Sequence, residues 1–396
     1  MLGLDKSYTY NLFGTIFDKG LILIVAFIFT TYIPLSVFGS WSLFLHFIII
    51  GSGIIISPSM NLFSRLYYKD KEYENKLIIK YNSLVLFIFL IFLILYASFY
   101  VHNLNLLLLQ IVCMAAFMTY NYYSLSLRFK NNNRSYFFIS GMRFFIFCVT
   151  GTVVICINGE LNLIWLLLSF LFATLIIILP VFKQFSLQKV KIKNLFNDEI
   201  ITLMFYGLAI TFLNSVDKFA IDLKSGELIL GSYSYVVAIA TASNVVVEFL
   251  KKVHVPKLFR GYSENGVINY HFTNTLKIQL IALFALQVIL PFIIIWLLDL
   301  FRGSQNPYLD FEWLYCVVFI QGLSFAIYSL YHFINPKFIY LKKTNLMITG
   351  VLISTVIYVF MIFLLKNPDI LELTFLRFVL LVVPVLFLWY KSKSIV

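Results

Sequence analysis

The sequence predicts an all-α integral membrane protein of about twelve transmembrane helices, set out as two six-helix lobes related by a parallel pseudo-repeat. Three observations carry this. Of the 396 residues, 61% are hydrophobic and only 12% are charged, where a soluble domain carries about 25% charged residues. A chain this apolar cannot cover a water-facing surface. Apolar runs of the roughly 20 residues that a helix needs to cross hydrocarbon follow one another along the whole chain. The basic residues, finally, gather in every second connection.

Taken in order, spans are expected near 11–33, 39–63, 81–101, 104–127, 136–157, 161–182, 200–221, 228–250, 273–298, 313–335, 345–365 and 371–390. Twenty-two of the 30 Lys and Arg fall at the termini and in the connections after even-numbered spans, such as Arg65–Lys80 and Lys183–Lys193. The opposite connections hold only Lys224, Arg302 and Lys366. Basic residues accumulate in cytoplasmic loops, so both termini are expected in the cytoplasm of a multi-pass protein. The net charge of +12 is accounted for by this topology and not by a nucleic-acid partner. No soluble domain fits between the spans, and the longest outer connection, Asp299–Glu312, is too short to be one.

The first run shows no sign of being a cleaved leader: Asp18-Lys19 interrupts it, it continues to about Tyr32, and no small-residue cleavage motif follows. Near the middle of the chain, FKQFSLQKVKIKNLFNDE (residues 182–199) is basic and apolar enough to lie on the membrane surface. It divides the chain into an N-terminal lobe (1–182), a cytoplasmic linker (183–199) and a C-terminal lobe (200–396). Each lobe opens with the same grammar. Asp18-Lys19 and Asp217-Lys218 sit in the first apolar run; Gly39-Ser40-Trp41 and Gly231-Ser232-Tyr233 open the second. Pro58 and Pro256 come near its far end, before the basic exits SRLY (64–67) and FRGY (259–262). Six spans per half give both halves one orientation, as in parallel repeats. The spacing from Asp to Gly differs by seven residues between the halves, a shift of roughly 10 Å along a helix.

Charged side chains inside spans are costly and point to function. Five cations fall there: Lys19, Arg143, Lys218, Lys277 and Arg377. Lys277 and Arg377 lie nearer span ends, where a long side chain can snorkel to the headgroups. Asp18 and Asp217 are read as counter-ions, with the binding of a coupling ion as the other reading. Successive residues on a helix point about 100° apart, so a partner on another helix is as reasonable as the adjacent Lys. Cys113, Cys148, Cys156 and Cys316 lie in apolar runs and are expected as small core residues, neither disulfide-bonded nor metal-binding. The five His are scattered. No phosphate-binding Gly-rich loop, nucleophile elbow or HExxH motif occurs, which speaks against ATP use and against an enzyme.

The stretches YNLFGTIFDKGLILIVAFIFTTYIPLSVFGSWSLF and LNSVDKFAIDLKSGELILGSYSYVVAIA resemble the first hairpin and the seventh and eighth helices of the Wzx-type polysaccharide flippases, O-antigen repeat-unit transporters of the MATE-like flippase superfamily. The first turn departs from the family in carrying Pro34 and no acidic residue. The resemblance implies a transporter of the bacterial inner membrane that moves a polyprenyl-diphosphate-linked oligosaccharide between leaflets by alternating access. It implies no cofactor, coupling to H+, Na+ or the membrane potential, and contact with membrane lipids. Polysaccharide polymerase or glycosyltransferase partners are also implied. Lys19, Arg143 and Lys218, with Lys277 and Arg377, would then meet the diphosphate and any acidic sugar, with Asp18 and Asp217 as counter-ions or coupling groups. Two rivals remain: a membrane-embedded polymerase or ligase, which needs a larger outer loop, and a cation-coupled multidrug exporter, which calls for acidic cavity residues without neighbouring Lys.

Overall fold

A computed structural model of the chain describes residues 6–27, 29–66, 104–129, 132–182, 198–242, 244–245, 247–248, 250, 254–255, 258, 261–262, 274–302, 313–341, 343–365 and 369–394. They form eleven α-helices and a single 3-10 turn, Phe29–Tyr32. The helices are α1 (Lys6–Phe27), α2 (Leu35–Leu66), α3 (Leu104–Phe129), α4 (Asn133–Asn158), α5 (Leu163–Phe182) and α6 (Asp198–Leu213). Then come α7 (Val216–Thr241), α8 (Asn274–Arg302), α9 (Leu314–Tyr340), α10 (Thr344–Leu364) and α11 (Ile370–Ser394). Seven of these, α2, α4, α5 and α8 to α11, are long and apolar enough to cross a membrane. Most of the described helices overlap the expected apolar runs. The span expected near 81–101 and the linker residues 183–197 lie outside the described residues.

Local chemistry sets several ends. The side chain of Asn132 accepts from the Ser135 N–H at the start of α4, and Asn162 accepts from the Trp165 N–H ahead of α5. Such contacts satisfy amide groups that have no partner in the first turn. Before α11, Asp369 and Glu372 bond each other's backbone N–H at 2.7 and 3.2 Å, a reciprocal capping box. At the other end of α4, Gly159 takes φ 77° and its N–H closes on the Ile155 carbonyl.

The stretch around Asp217 departs from its sequence reading in two ways. The run 200–221 is not one helix but breaks at Asn214 and Ser215, between α6 and α7. The Asn214 side-chain amide donates to the Ile210 carbonyl at 2.8 Å, the local side-chain bonding by which Asn competes with a regular helix. The polar turn expected near 222–227 is also shorter. Helix continues to Ser225, and Gly226 alone reverses the path at φ 79°, ψ 172°, backbone open to little but glycine. So α7 consists of two segments, 216–225 and 227–241.

The chain divides into two compact units: residues 1–24, 32–34 and 44–208, and residues 25–31, 35–43 and 209–396. In the first, α3, α4 and α5 pack around Ala116, Tyr120, Ile177 and Ile178, with Ile139, Leu171 and Leu175 against them. Phe170 meets Phe44 and Phe117 edge-on or tilted. In the second, α11 packs on α9 and α10, and α8 on α9, with Val247, Leu283 and Phe333 at one centre. Of the cysteines, all free, only Cys113 is buried; Cys156 and Cys316 are exposed, a correction to their expected core position. Cys113 donates to the Leu167 carbonyl at 3.3 Å.

Candidate functional site

Among the described residues, each unit sets a carboxylate, half-buried in the first and buried in the second, against tyrosine hydroxyl and guanidinium groups. In the first it is Asp18, on α1, with 15% of its side chain exposed. Tyr120 of α3 donates to Asp18 Oδ1 at 2.6 Å, and Tyr136 of α4 donates to Oδ2 at 3.0 Å. The phenolic hydrogen of Tyr120 being committed to the carboxylate, the 3.0 Å contact to Ser140 has Ser140 as its donor. Arg143, only 2% exposed, brings Nη2 to 3.6 Å from Asp18 Oδ1 and stacks its guanidinium over the Tyr120 ring at 3.8 Å. Its Nε and Nη1 are buried without a hydrogen-bonding partner. Cation–π attraction is strongest when desolvated, yet it satisfies no N–H. This guanidinium is held by the rings of Tyr120 and Phe117 and by a long ion pair.

The second cluster is closed and tight. Asp217, in the first turn of α7, is fully buried. Lys218 reaches both its oxygens, at 3.0 and 2.9 Å, and Arg377 of α11 donates to Oδ2 at 2.8 Å. Tyr233 donates to the same oxygen at 2.5 Å. A further ring of bonds closes through α9: Arg377 donates to Gln321 Oε1 at 2.9 Å, and Gln321 Nε2 donates to the Tyr233 hydroxyl at 2.7 Å. The break at 214–215 makes this possible. It frees the Asn214 carbonyl to lie 3.5 Å from Lys218 Nζ, so the lysine turns back over the helix start beside its own neighbour. Two cations meet one carboxylate here, and Arg377 Nε remains buried without a partner.

The structure thus brings together Asp18 and Arg143 in one unit, and Asp217, Lys218 and Arg377 in the other. Lys19 stays apart: it is exposed on α1, rotated away from the Asp18 carboxylate as the helical step dictates. Lys277 lies on α8, with its side chain outside the described residues. Arg377, near a span end by sequence, does not snorkel but is 1% exposed, because Asp217 holds it inward. Sequence reasoning passed over Tyr136, Ser140 and Gln321, and took Tyr120 and Tyr233 only as rings that could stack on sugars, without claiming them as site residues. The tyrosines were visible only as members of an aromatic-rich chain whose interface belts account for most such rings. Nothing in the spacing of Gln321 marks it.

No family model and no curated protein sequence matches the chain. Solved structures do. A point mutant of the Vibrio cholerae MATE transporter VcmN matches with a TM-score of 0.65 at 13% identity, covering 98% of this chain and 95% of that one. The inward-facing conformation of a multidrug resistance MATE family transporter of the MOP superfamily matches at 0.58 and 14%, over 100% and 96%. A MOP superfamily transporter of Pyrococcus furiosus, described as having a binding pocket of reverse polarity that suggests a different function, matches at 0.55 and 12%, over 97% and 91%. The likeness spans nearly the whole of each chain at low identity, and what it establishes is the architecture: this protein has the fold of the MATE and MOP superfamily transporters.

Proposed function

We propose that the protein is a flippase carrying a polyprenyl-diphosphate-linked oligosaccharide across the bacterial inner membrane by alternating access. In this reading twelve spans form two six-helix lobes, 1–182 and 200–396, joined by the cytoplasmic linker 183–199, with both termini cytoplasmic. One observation carries it. The two buried clusters hold three cations, Arg143, Lys218 and Arg377, against two carboxylates, Asp18 and Asp217, and Lys19 adds an exposed positive charge on the same helix as Asp18. A diphosphate carries two or more negative charges, and attraction to cations rises steeply where the dielectric is low. Clusters with this balance of charge favour anionic cargo over cationic drugs.

Lys19 is the residue free to meet the diphosphate first. Arg143 has its Nε and Nη1 donors to offer an incoming oxygen once its cluster loosens. Lys218 and Arg377 are engaged by Asp217, so they act on the cargo through the local field unless that cluster opens. The lipid tail stays in the bilayer throughout. A coupling proton or cation would be taken by a carboxylate, and Asp18 is the more exposed of the two.

The test is leaflet accessibility. Cells depleted of the protein are probed from outside with a membrane-impermeant lectin or hydrolase. The expected result is a lipid-linked saccharide that accumulates but stays hidden. Accumulation fully exposed outside would instead place the lost step after translocation, in a polymerase or ligase. The multidrug names among the structural neighbours favour drug export as the second reading, and a deletion strain whose only phenotype is altered drug susceptibility would establish it.

A further inference from the structure

Neighbouring side chains on a helix diverge by about 100°, so the pairing of Lys218 with Asp217 is not one a regular helix supplies. The lysine reaches it by folding back over the Asn214–Ser215 break. Its ammonium, on a side chain only 1% exposed, meets three oxygens. Asp217 Oδ1 and Oδ2 lie at 3.0 and 2.9 Å, and the Asn214 carbonyl, just past the end of α6, at 3.5 Å. The centroid of the Tyr233 ring is 5.7 Å away. A carboxylate beside the carbonyls of an interrupted helix is the arrangement by which transporters with broken helices coordinate a free cation. Here a side chain of the protein fills it.

Two details mark the place as a cation site. The oxygens of Asp217 are unequally served. Oδ2 accepts from Tyr233 and Arg377 as well as from Lys218, whereas Oδ1 accepts from Lys218 alone among the described residues. Arg377 balances the charge of the carboxylate but does not reach that oxygen. Without the ammonium, Oδ1 would stand bare in a fully buried knot, and an unsatisfied buried acceptor is costly, most of all on a charged group. The second detail is the Ser215 hydroxyl. It lies in the break itself, is fully buried and has no hydrogen-bonding partner, although buried hydroxyls ordinarily find one. A free ion, not fixed to a side chain of set length, has this oxygen to draw on as well.

We propose that Lys218 is a tethered cation: its ammonium occupies a monovalent-cation site made by the helix break, whose oxygen ligands are Asp217, the Asn214 carbonyl and the Ser215 hydroxyl. All four residues belong to the C-terminal unit. That unit therefore carries its own ion and draws none from solution at this place. Removing the ammonium vacates the site and opens it to sodium, potassium or ammonium. The role is independent of the cargo, because Lys218 serves Asp217 whatever is carried.

The test is thermal unfolding of the purified full chain in detergent, in choline, sodium, potassium or ammonium chloride at one ionic strength. Asp18→Asn serves as the parent throughout, so that the carboxylate of the other unit takes no ion. The parent should melt at one temperature in all four salts. Lys218→Met in that parent should melt lower in choline chloride and recover, saturably, in at least one of the other three. Ser215→Ala added to Lys218→Met should raise the cation concentration needed for half of that recovery. A Lys218→Met protein that melts alike in all four salts overturns the proposal. So does a parent whose melting temperature itself rises specifically with sodium, potassium or ammonium. Should Lys218→Met fail to fold, the salt series on the parent decides: one melting temperature upholds the tethered cation, and a cation-specific rise overturns it.

Discussion

Asp18 and Asp217 are each the carboxylate of a charged cluster, yet their surroundings give them different duties. Asp217 is fully buried and accepts from Lys218, Arg377 and Tyr233. Removing one partner of a buried ion pair leaves the other charge unpaired and costs about 3–5 kcal/mol. Asp217→Asn strands two cations, so a large loss of thermal stability in detergent is expected. Asp18→Asn should cost clearly less, since that carboxylate is partly exposed and its arginine stands 3.6 Å away. A reversed order would contradict the assignment of Asp217 as the structural member. Lys19 is the complementary case. Exposed on α1, it can be changed to Gln with little effect on melting temperature, and the proposed flippase should then lose most of its surface polysaccharide output. Normal output from normally folded Lys19→Gln protein would remove Lys19 from the cargo path.

At the scale of elements, the segment between Leu213 and Tyr233 shows how short polar interruptions build a site. The Asn214–Ser215 break sets Asp217 in the first turn of a new helix, and helix N-termini favour negative charge. Gly226 then reverses the chain in one residue, which returns Tyr233 to the same carboxylate. At Gly226 an added Cβ would meet nothing within 4 Å, so the cost of Gly226→Ala comes entirely from backbone conformation, about 1–3 kcal/mol. Stability measured against Ser225→Ala, one residue earlier in ordinary helix, isolates that cost. Equal stability of the two variants would show that the turn does not depend on the left-handed conformation.

Among the described residues, each unit is built of long apolar helices around one small knot of charged side chains. The proposed topology makes a direct prediction. A fluorescent protein fused after Val396 should fold and fluoresce, because that topology puts the C-terminus in the cytoplasm. A cysteine introduced at Leu223, 84% exposed, should react with an impermeant thiol reagent added outside intact cells. Reaction only after the cells are opened would invert the orientation drawn from the basic residues.

Composition and periodic hydrophobicity determined that this protein is a helical membrane protein and where most of its helices run, because burial in hydrocarbon dictates span length and polarity residue by residue. The same physics made Asp18, Arg143, Lys218, Asp217 and Arg377 conspicuous, since a charge in an apolar run has a cost that local sequence cannot repay. Which charges repay one another was settled only by tertiary structure. Asp18 finds Arg143, 125 positions further along, and turns away from the adjacent Lys19; Asp217 keeps its neighbour Lys218 and adds Arg377. Adjacent positions on a helix diverge by about 100°, so the choice depends on which helices stand alongside. The tyrosines and Gln321 that complete each knot were hidden for the same reason. A neutral polar side chain in a span becomes a site residue only when the fold sets a charge within hydrogen-bonding reach.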